Sequence, residues 1–167
     1  MAGNRPGDIL GTLAAIQFAM PGDVVVAQAH GHRGCASGGD RVMGMLKNRG
    51  AAGFVTDGPL RDMDGLEAVG LPCWCTGLTP NSPVKSGPGS VGLPVDVGGQ
   101  RVAQGDVVVA DRDGVVIVPF EELDAVIAAV GKVAEAEARL DAEVANGRDG
   151  SAEIARMLEK GVGVEWL

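Results

Sequence analysis

Four side chains in this sequence have the types and spacing to bind a cation or an anion: Asp40, Arg61, Asp62 and Glu137. Asp40 ends a Gly38-Gly39-Asp40 run at the head of a helical pattern. Free backbone N–H groups at a helix start attract an anion such as a carboxylate. The plainer reading is that Asp40 only caps the helix. Arg61-Asp62 follows a short apolar run and an Asp57-Gly58-Pro59 turn. A guanidinium can grip a carboxylate through two parallel hydrogen bonds. The adjacent acid can hold Mg2+ or Mn2+, which take oxygen ligands and keep several waters. The plainer reading here is a solvated loop with an ion pair worth little. Glu137 interrupts the apolar stripe Leu123, Val126, Val130, Val133, Leu140, Val144. It either snorkels past the edge of that stripe or points at positive charge, in a neighbouring subunit for example.

The elements that must position these groups are short. Val24–Gln28 reads as a strand after a Pro21-Gly22-Asp23 turn, and Phe54–Thr56 as another. Between them runs a His- and Gly-bearing loop, 30–39, and then a helix over Asp40–Asn48. Ile9, Leu13, Ile16 and Met20 fall at helical spacing behind Asp8, a candidate N-cap. Residues 60–70 form a loop or short helix, Leu71–Thr76 contains a strand, and 77–90 is a long Gly/Pro/Ser loop. Val91–Val97 reads as a strand interrupted by Pro94, and Arg101–Ala103 as a further strand. Asp106–Asp111 and Val115–Val118 flank Asp113-Gly114, a strong hairpin signal. Glu121–Ala145 is one long amphipathic helix and Ser151–Lys160 a second. Strands mixed with helices predict a layered α/β fold. Length alone predicts one globular domain with a real core.

Composition narrows the function. The 22 acidic residues outnumber 14 Lys and Arg, a formal charge of -8, so no basic surface for a phosphate backbone is expected. No nucleic-acid partner is therefore expected. The one apolar stretch near the start, Ile9–Met20, is too short to span a bilayer, so no membrane role is expected. Cys35, Cys73 and Cys75 are neither a disulfide framework nor a zinc site, which makes reduced cytoplasm the default. His30-x-His32 offers two imidazoles, read as polar loop residues before any metal role. No Gly-rich loop of the kind a nucleotide-like cofactor needs follows the first strand.

The run GGDRVMGMLKNRGAAGFVTDGPLRD, Gly38–Asp62, resembles the signature of the 4-hydroxy-4-methyl-2-oxoglutarate aldolase / RraA-like family. Twenty residues separate Asp40 from Arg61, as in that signature. The resemblance continues through Leu71-Pro72, Pro94-Val95, Gly98-Gly99, Gly105-Asp106 and Asp111–Val115. It implies a layered β/β/α, swivelling-domain-like fold with a C-terminal helical extension. It implies a divalent metal, Mg2+ or Mn2+, held directly by Asp62 and through water by Asp40. Arg61 would bind substrate and stabilise an enolate oxygen. Backbone amides of Gly39, Asp40, Arg41 and Val42 would hold a substrate carboxylate. A Glu from a neighbouring subunit assists in some members, and Glu137 is offered for that role. The resemblance also implies a catalytic domain over 1–120, C-terminal helices over 121–167 that make intersubunit contacts, and homotrimers or hexamers.

The implied chemistry is cleavage of a 4-hydroxy-2-oxo acid to pyruvate, with decarboxylation of oxaloacetate through the same enolate. A Schiff-base route needs a buried lysine, and Lys47, Lys85, Lys132 and Lys160 all fall in helix or loop patterns. The alternative within the family is a non-catalytic regulator that binds a ribonuclease. Three departures stand out. Gly65, with Asp64 beside it, occupies a place where members carry a further acid, Pro59 sits in an unusual place just before the Arg, and the family's usual segment ahead of Pro6–Asp8 is not matched. The missing segment leads to the expectation of an exposed sheet edge.

Overall fold

The computed structural model describes residues 1–161 and 163, in two units, Met1–Leu123 and Asp124–Leu167. The first unit is built on a five-stranded sheet. Its strands in chain order are β1 (Ala2–Gly3), β2 (Val24–Gln28), β3 (Gly53–Thr56), β4 (Cys73–Trp74) and β5 (Ser90–Val91). They lie in the order β4-β3-β2-β1-β5; the first four run parallel and β5 is antiparallel to β1.

The alternation of a strand sends successive side chains to opposite faces. On one face Val25, Ala27 and Phe54 pack with Ala15, Ile16 and Ala19, with Val42, Met43 and Leu46 of α2 (Asp40–Asn48), and with Leu66 of α3 (Met63–Val69). On the other face Val26 and Val55 meet Val95 of β6 (Val95–Val97) and Val102 of β7 (Gln100–Val102). Val108, Val115 and Ile117 close that side from the antiparallel pair β8 (Val107–Ala110) and β9 (Val115–Val118). The layers are therefore β, β and α, the α/β architecture expected from the sequence. The Val-rich run of β2 follows, because a strand covered on both faces needs apolar residues in consecutive positions.

Three local expectations change. Helix α1 is Leu10–Ala15, with Ile9 at the N-cap position and Met20 exposed rather than packed inward. The predicted strand over Val91–Val97 is two strands, β5 and β6, in different sheets, because Gly92 takes φ +77 and turns the chain between layers. The long helix begins later, with a short 3-10 turn at Phe120–Glu122 before α4 (Leu123–Ala145).

Asp8 is not an N-cap, yet its buried carboxylate accepts from the amides of Leu10 (2.7 Å), Ser86 (2.8 Å) and Gly87 (2.7 Å) and from the Ser86 hydroxyl (3.2 Å). Those bonds tie α1 to a segment nearly eighty residues later. The Leu10 amide, first among them, holds the Asp8 carboxyl below its ordinary 3.8. A carboxylate with a depressed native pKa adds stability above its unfolded value and loses it as pH falls toward the native one. Asp8→Asn is therefore expected to lower the melting temperature at pH 7 by about 5 °C. The gap from wild type should narrow below about pH 4, which thermal melts across pH would show.

The second unit holds α4 and α5 (Ala152–Glu159), the latter capped by Ser151, whose hydroxyl accepts from the Ile154 amide at 3.4 Å. Neither helix has a buried residue. Among the described residues no helix is long and apolar enough to cross a membrane.

Candidate functional site

Parallel strands place their carboxyl ends together, and the loops that leave those ends form the usual ligand crevice of an α/β sheet. Here the segments after β2, β3 and β4 meet at that edge. The Ser37 amide donates to Pro59 O (2.7 Å) and the Arg61 amide to Gly38 O (3.2 Å), joining the first two segments. The Leu60 amide donates to Gly77 O and the Thr79 amide to Leu60 O, both at 2.9 Å, joining the second to the third. Gly58 lies where a Cβ would meet Ser37 Oγ at 2.1 Å, so the first two segments approach this closely only with glycine there.

This joining sets the N-terminus of α2 beside Arg61 and Asp62. Gly39, Asp40, Arg41, Val42, Arg61 and Asp62 line one open cavity of about 340 Å3. Arg61 Nε lies 3.3 Å from Asp62 Oδ2, with side-chain exposures of 34% and 44%, so both remain open to a ligand. Asp40 is the first residue of α2, and Gly39, in extended conformation, holds the N-cap position. The capping reading of Asp40 thus gives way. Its carboxylate accepts from the Arg41 amide at 2.7 Å. Among the described residues, no hydrogen bond engages the amides of Gly39, Asp40 or Val42, leaving donors for an anion.

Asp62 adopts a left-handed conformation, φ 63 and ψ 51, at the N-cap of α3. An Asp at that position ordinarily spends its carboxylate on an amide of the first turn. Asp62 makes no such bond, and its carboxylate turns toward Gly39 and Arg61 instead. A left-handed non-glycine residue stores strain of about 1 kcal/mol, and such residues concentrate at functional sites. Gly65 explains a departure noted in the sequence: a Cβ there would lie 2.7 Å from Asp40 Cβ and Oδ2. The space of a side chain at 65 is filled by Asp40 itself.

Gly39 is the tightest point. A Cβ there would fall 2.5 Å from Asp62 Oδ2 and 3.0 Å from Arg61 Cγ. Its φ of -155 suits any residue, so only space requires glycine. Gly39→Ala is expected to fold, since the side chains of 61 and 62 can swing away. The melting temperature should drop by no more than about 5 °C. Ligand binding or turnover should fall on the order of tenfold or more, because the pair is displaced. Calorimetry beside thermal melts checks both.

The donor set suits a hard cation. Asp40 and Asp62 supply carboxylate oxygens, with no His or Cys lining the cavity. Among the described residues no three His, Cys, Asp or Glu gather as a ligand group, so water and ligand oxygens would complete the shell. Mg2+ is held in that manner, by one or two carboxylates with most waters retained. The remaining sequence candidates lie elsewhere. His30 takes φ 55 in the loop after β2, where Asp57 accepts from the Ala29 (2.6 Å) and Gly31 (2.8 Å) amides on either side. Burial pushes the Cys73 thiol up to about 11, with Cys75 adding to it, so Cys73 is no nucleophile near neutral pH. Glu137 belongs to the second unit, exposed on α4 between Val133 and Leu140. Sequence reasoning missed Ser82, whose Oγ accepts from Arg61 Nη1 at 2.6 Å. Nothing in its Gly/Pro/Ser-rich neighbourhood singled it out.

The family model described as RraA-like, Aldolase/RraA, matches residues 3–117. The chain belongs to the RraA-like family. A relative from Halalkalibacterium halodurans, named "Putative 4-hydroxy-4-methyl-2-oxoglutarate aldolase", is 41% identical over 134 residues, 80% of this chain and 64% of its own length. This RraA-like chain thus spans less than two thirds of that relative. Among solved structures, Streptomyces coelicolor RraAS2, described as an unusual member of the RNase ES inhibitor RraA family, superposes with a TM-score of 0.73. It is 29% identical, with 85% of this chain and 75% of that one covered. A Geobacillus kaustophilus structure titled S-adenosylmethionine:2-dimethylmenaquinone methyltransferase is 32% identical, with a TM-score of 0.61 over 70% and 73% of the two chains.

Proposed function

We propose that this RraA-like chain carries the site of a divalent-metal-dependent lyase that cleaves a 4-hydroxy-2-oxo acid, such as 4-hydroxy-4-methyl-2-oxoglutarate, to pyruvate. Oxaloacetate decarboxylation accompanies that activity. The single observation that carries the reading is the convergence of Asp40, Arg61 and Asp62 on one open cavity at the start of α2. The names of curated relatives point the same way.

In this reading Asp62 would hold Mg2+ or Mn2+ directly and Asp40 would hold it through water. The cation, when bound, supplies positive charge beside the 2-oxo group. The chain's own groups do the rest. The unengaged amides of Gly39, Asp40 and Val42 hold the substrate carboxylate at the positive end of α2. Arg61 has five N–H donors; one bonds Ser82 and Nε pairs with the Asp62 carboxylate, so donors remain for the substrate oxygen that becomes negative. The proton leaves the 4-hydroxyl for a water that Asp40 orients. The 4-oxygen forms a C=O bond to C4 as the C3–C4 bond breaks, and the C4 fragment leaves as a carbonyl compound. The C3–C4 electron pair enters the enolate, and protonation at C3 gives pyruvate.

Assembly belongs to the same proposal. The exposed apolar seam of α4 suits a homotrimer or hexamer, in which Glu137 reaches a neighbour's site. A cytoplasmic location fits the free thiols at positions 35, 73 and 75. The test is pyruvate release from both acids, with Mg2+ or Mn2+ and then with EDTA. Turnover that EDTA abolishes and added Mg2+ restores is expected. A folded sample with no chelator-sensitive turnover overturns the reading. The similarity to RraAS2 supports a second reading, a regulator that binds a ribonuclease without catalysis. Stable, stoichiometric binding to a ribonuclease by a catalytically silent sample would favour it.

A further inference from the structure

We infer that Ser82 is a positioning residue that fixes the Arg61 guanidinium for its work on the substrate; this rests on the lyase reading above. The hydroxyl accepts from Arg61 Nη1 at 2.6 Å while Arg61 Nε faces Asp62 Oδ2 at 3.3 Å. A turn about the Nε–Cζ bond leaves the Asp62 ion pair in place but carries Nη1 away from Ser82, so the Ser82 hydrogen bond is the contact that resists that turn. Asp62 alone is a poor anchor in this reading, because the same carboxylate also serves the cation. When it does, Ser82 becomes the fixed point that keeps the guanidinium from following the carboxylate.

Ser82 can act this way because the main chain fixes it. The Ala36 amide donates to Asn81 O at 3.0 Å, and Asn81 Nδ2 donates to Gly34 O at 3.0 Å. Upstream, the Thr76 amide donates to Gly58 O at 3.1 Å, and the Leu60 and Thr79 bonds continue that pairing. Pro80 and Pro83 restrict the backbone on either side. The segment that carries Ser82 is therefore bonded both to the segment before α2 and to the segment bearing Arg61. Its side chain is exposed and has no other protein partner among the described residues, so a structural role in packing does not account for it.

The test pairs kinetics with a direct view of the guanidinium in the full chain. The Nε–H signal of Arg61 is identified by NMR through its loss in Arg61→Lys, and rotation of its terminal nitrogens is then measured. Ser82→Ala is expected to speed that rotation at least on the order of tenfold. It should lower kcat by a similar factor with little change in KM, because the loss is felt in the transition state. Ser82→Thr, which keeps the hydroxyl, should restore slow rotation. In an Arg61→Lys background, adding Ser82→Ala should cost no more than about twofold further, since the interaction is already gone. Unchanged rotation in Ser82→Ala overturns the inference, as does faster rotation with wild-type kcat. If the wild-type protein turns over no 2-oxo acid, the lyase reading fails separately, and rotation still decides whether Ser82 holds Arg61.

Discussion

Asp62→Asn is expected to remove at least about 99% of chelator-sensitive turnover while leaving the fold intact. The choice of Asn matters. Residue 62 sits at φ 63 and ψ 51, a conformation that Asn tolerates and Ala does not. Asp62→Ala would mix lost chemistry with added strain. Asn keeps the shape, removes the charge, and leaves the Leu66 amide bond to the main-chain oxygen of 62 at 2.8 Å. Arg61→Lys belongs beside it. A lysine keeps the charge but cannot face Asp62, Ser82 and a substrate oxygen together. Its loss is expected on the order of a hundredfold in kcat/KM, the usual effect of removing one donor to a developing oxyanion. The check is steady-state pyruvate release, with circular dichroism and melts on each variant. Asp62→Gly adds a second arm: it should be as inactive as Asn and melt no lower than wild type, because glycine relieves the left-handed strain. A fully active Asp62→Asn would end the assigned role.

These variants could be chosen from the sequence because the decisive groups lie close along the chain or follow strong local signals. The Gly38-Gly39-Asp40 start and the inward spacing of Val42, Met43 and Leu46 specify α2, and the helix runs over Asp40–Asn48 as expected. The Asp57-Gly58-Pro59 turn announces that Arg61-Asp62 leaves a strand end. Less legible was which group caps the helix. Gly39 takes that position because any side chain there would strike Asp62 and Arg61, a contact between segments far apart in sequence. No local propensity encodes it.

The same limit explains the other differences. A Val-rich run from 91 to 97 looks like one strand, yet Gly92 turns it from the main sheet to the β6–β7 pair. Asp8 has the look of a cap, while three of its four bonds reach residues 86–87 through tertiary closure. Ser82 lies in a segment whose composition says only loop. Its meaning comes from pairing with residues 34–36 and 58–60, visible once the layers are assembled. Periodicity is legible when the partner lies on the same element; contacts closed by other segments are not.

The α4 seam carries the second large expectation. Leu123, Val126, Val130, Val133, Glu137, Leu140 and Val144 follow alternating steps of three and four residues, the heptad spacing of a helix-on-helix seam. The helix is about 34 Å long and none of its residues is buried. Val130, Val133, Leu140 and Val144 are 57%, 54%, 46% and 56% exposed. An amphipathic helix of this length gains little stability until its apolar face is covered. Val133→Asp with Leu140→Asp is therefore expected to leave the first unit folded and reduce the native mass to that of a monomer in sedimentation. Glu137→Leu separates two roles for the acid. If Glu137 is only an interruption of the seam, the leucine should tighten association, shifting the midpoint of dissociation at least tenfold lower in concentration, with turnover unchanged. If it reaches a neighbour's site, the assembly should hold or tighten while kcat falls by tenfold or more. Wild-type mass equal to one chain at micromolar concentration would remove the assembly and the Glu137 role together, and leave Asp62 and Arg61 to be judged on their own kinetics.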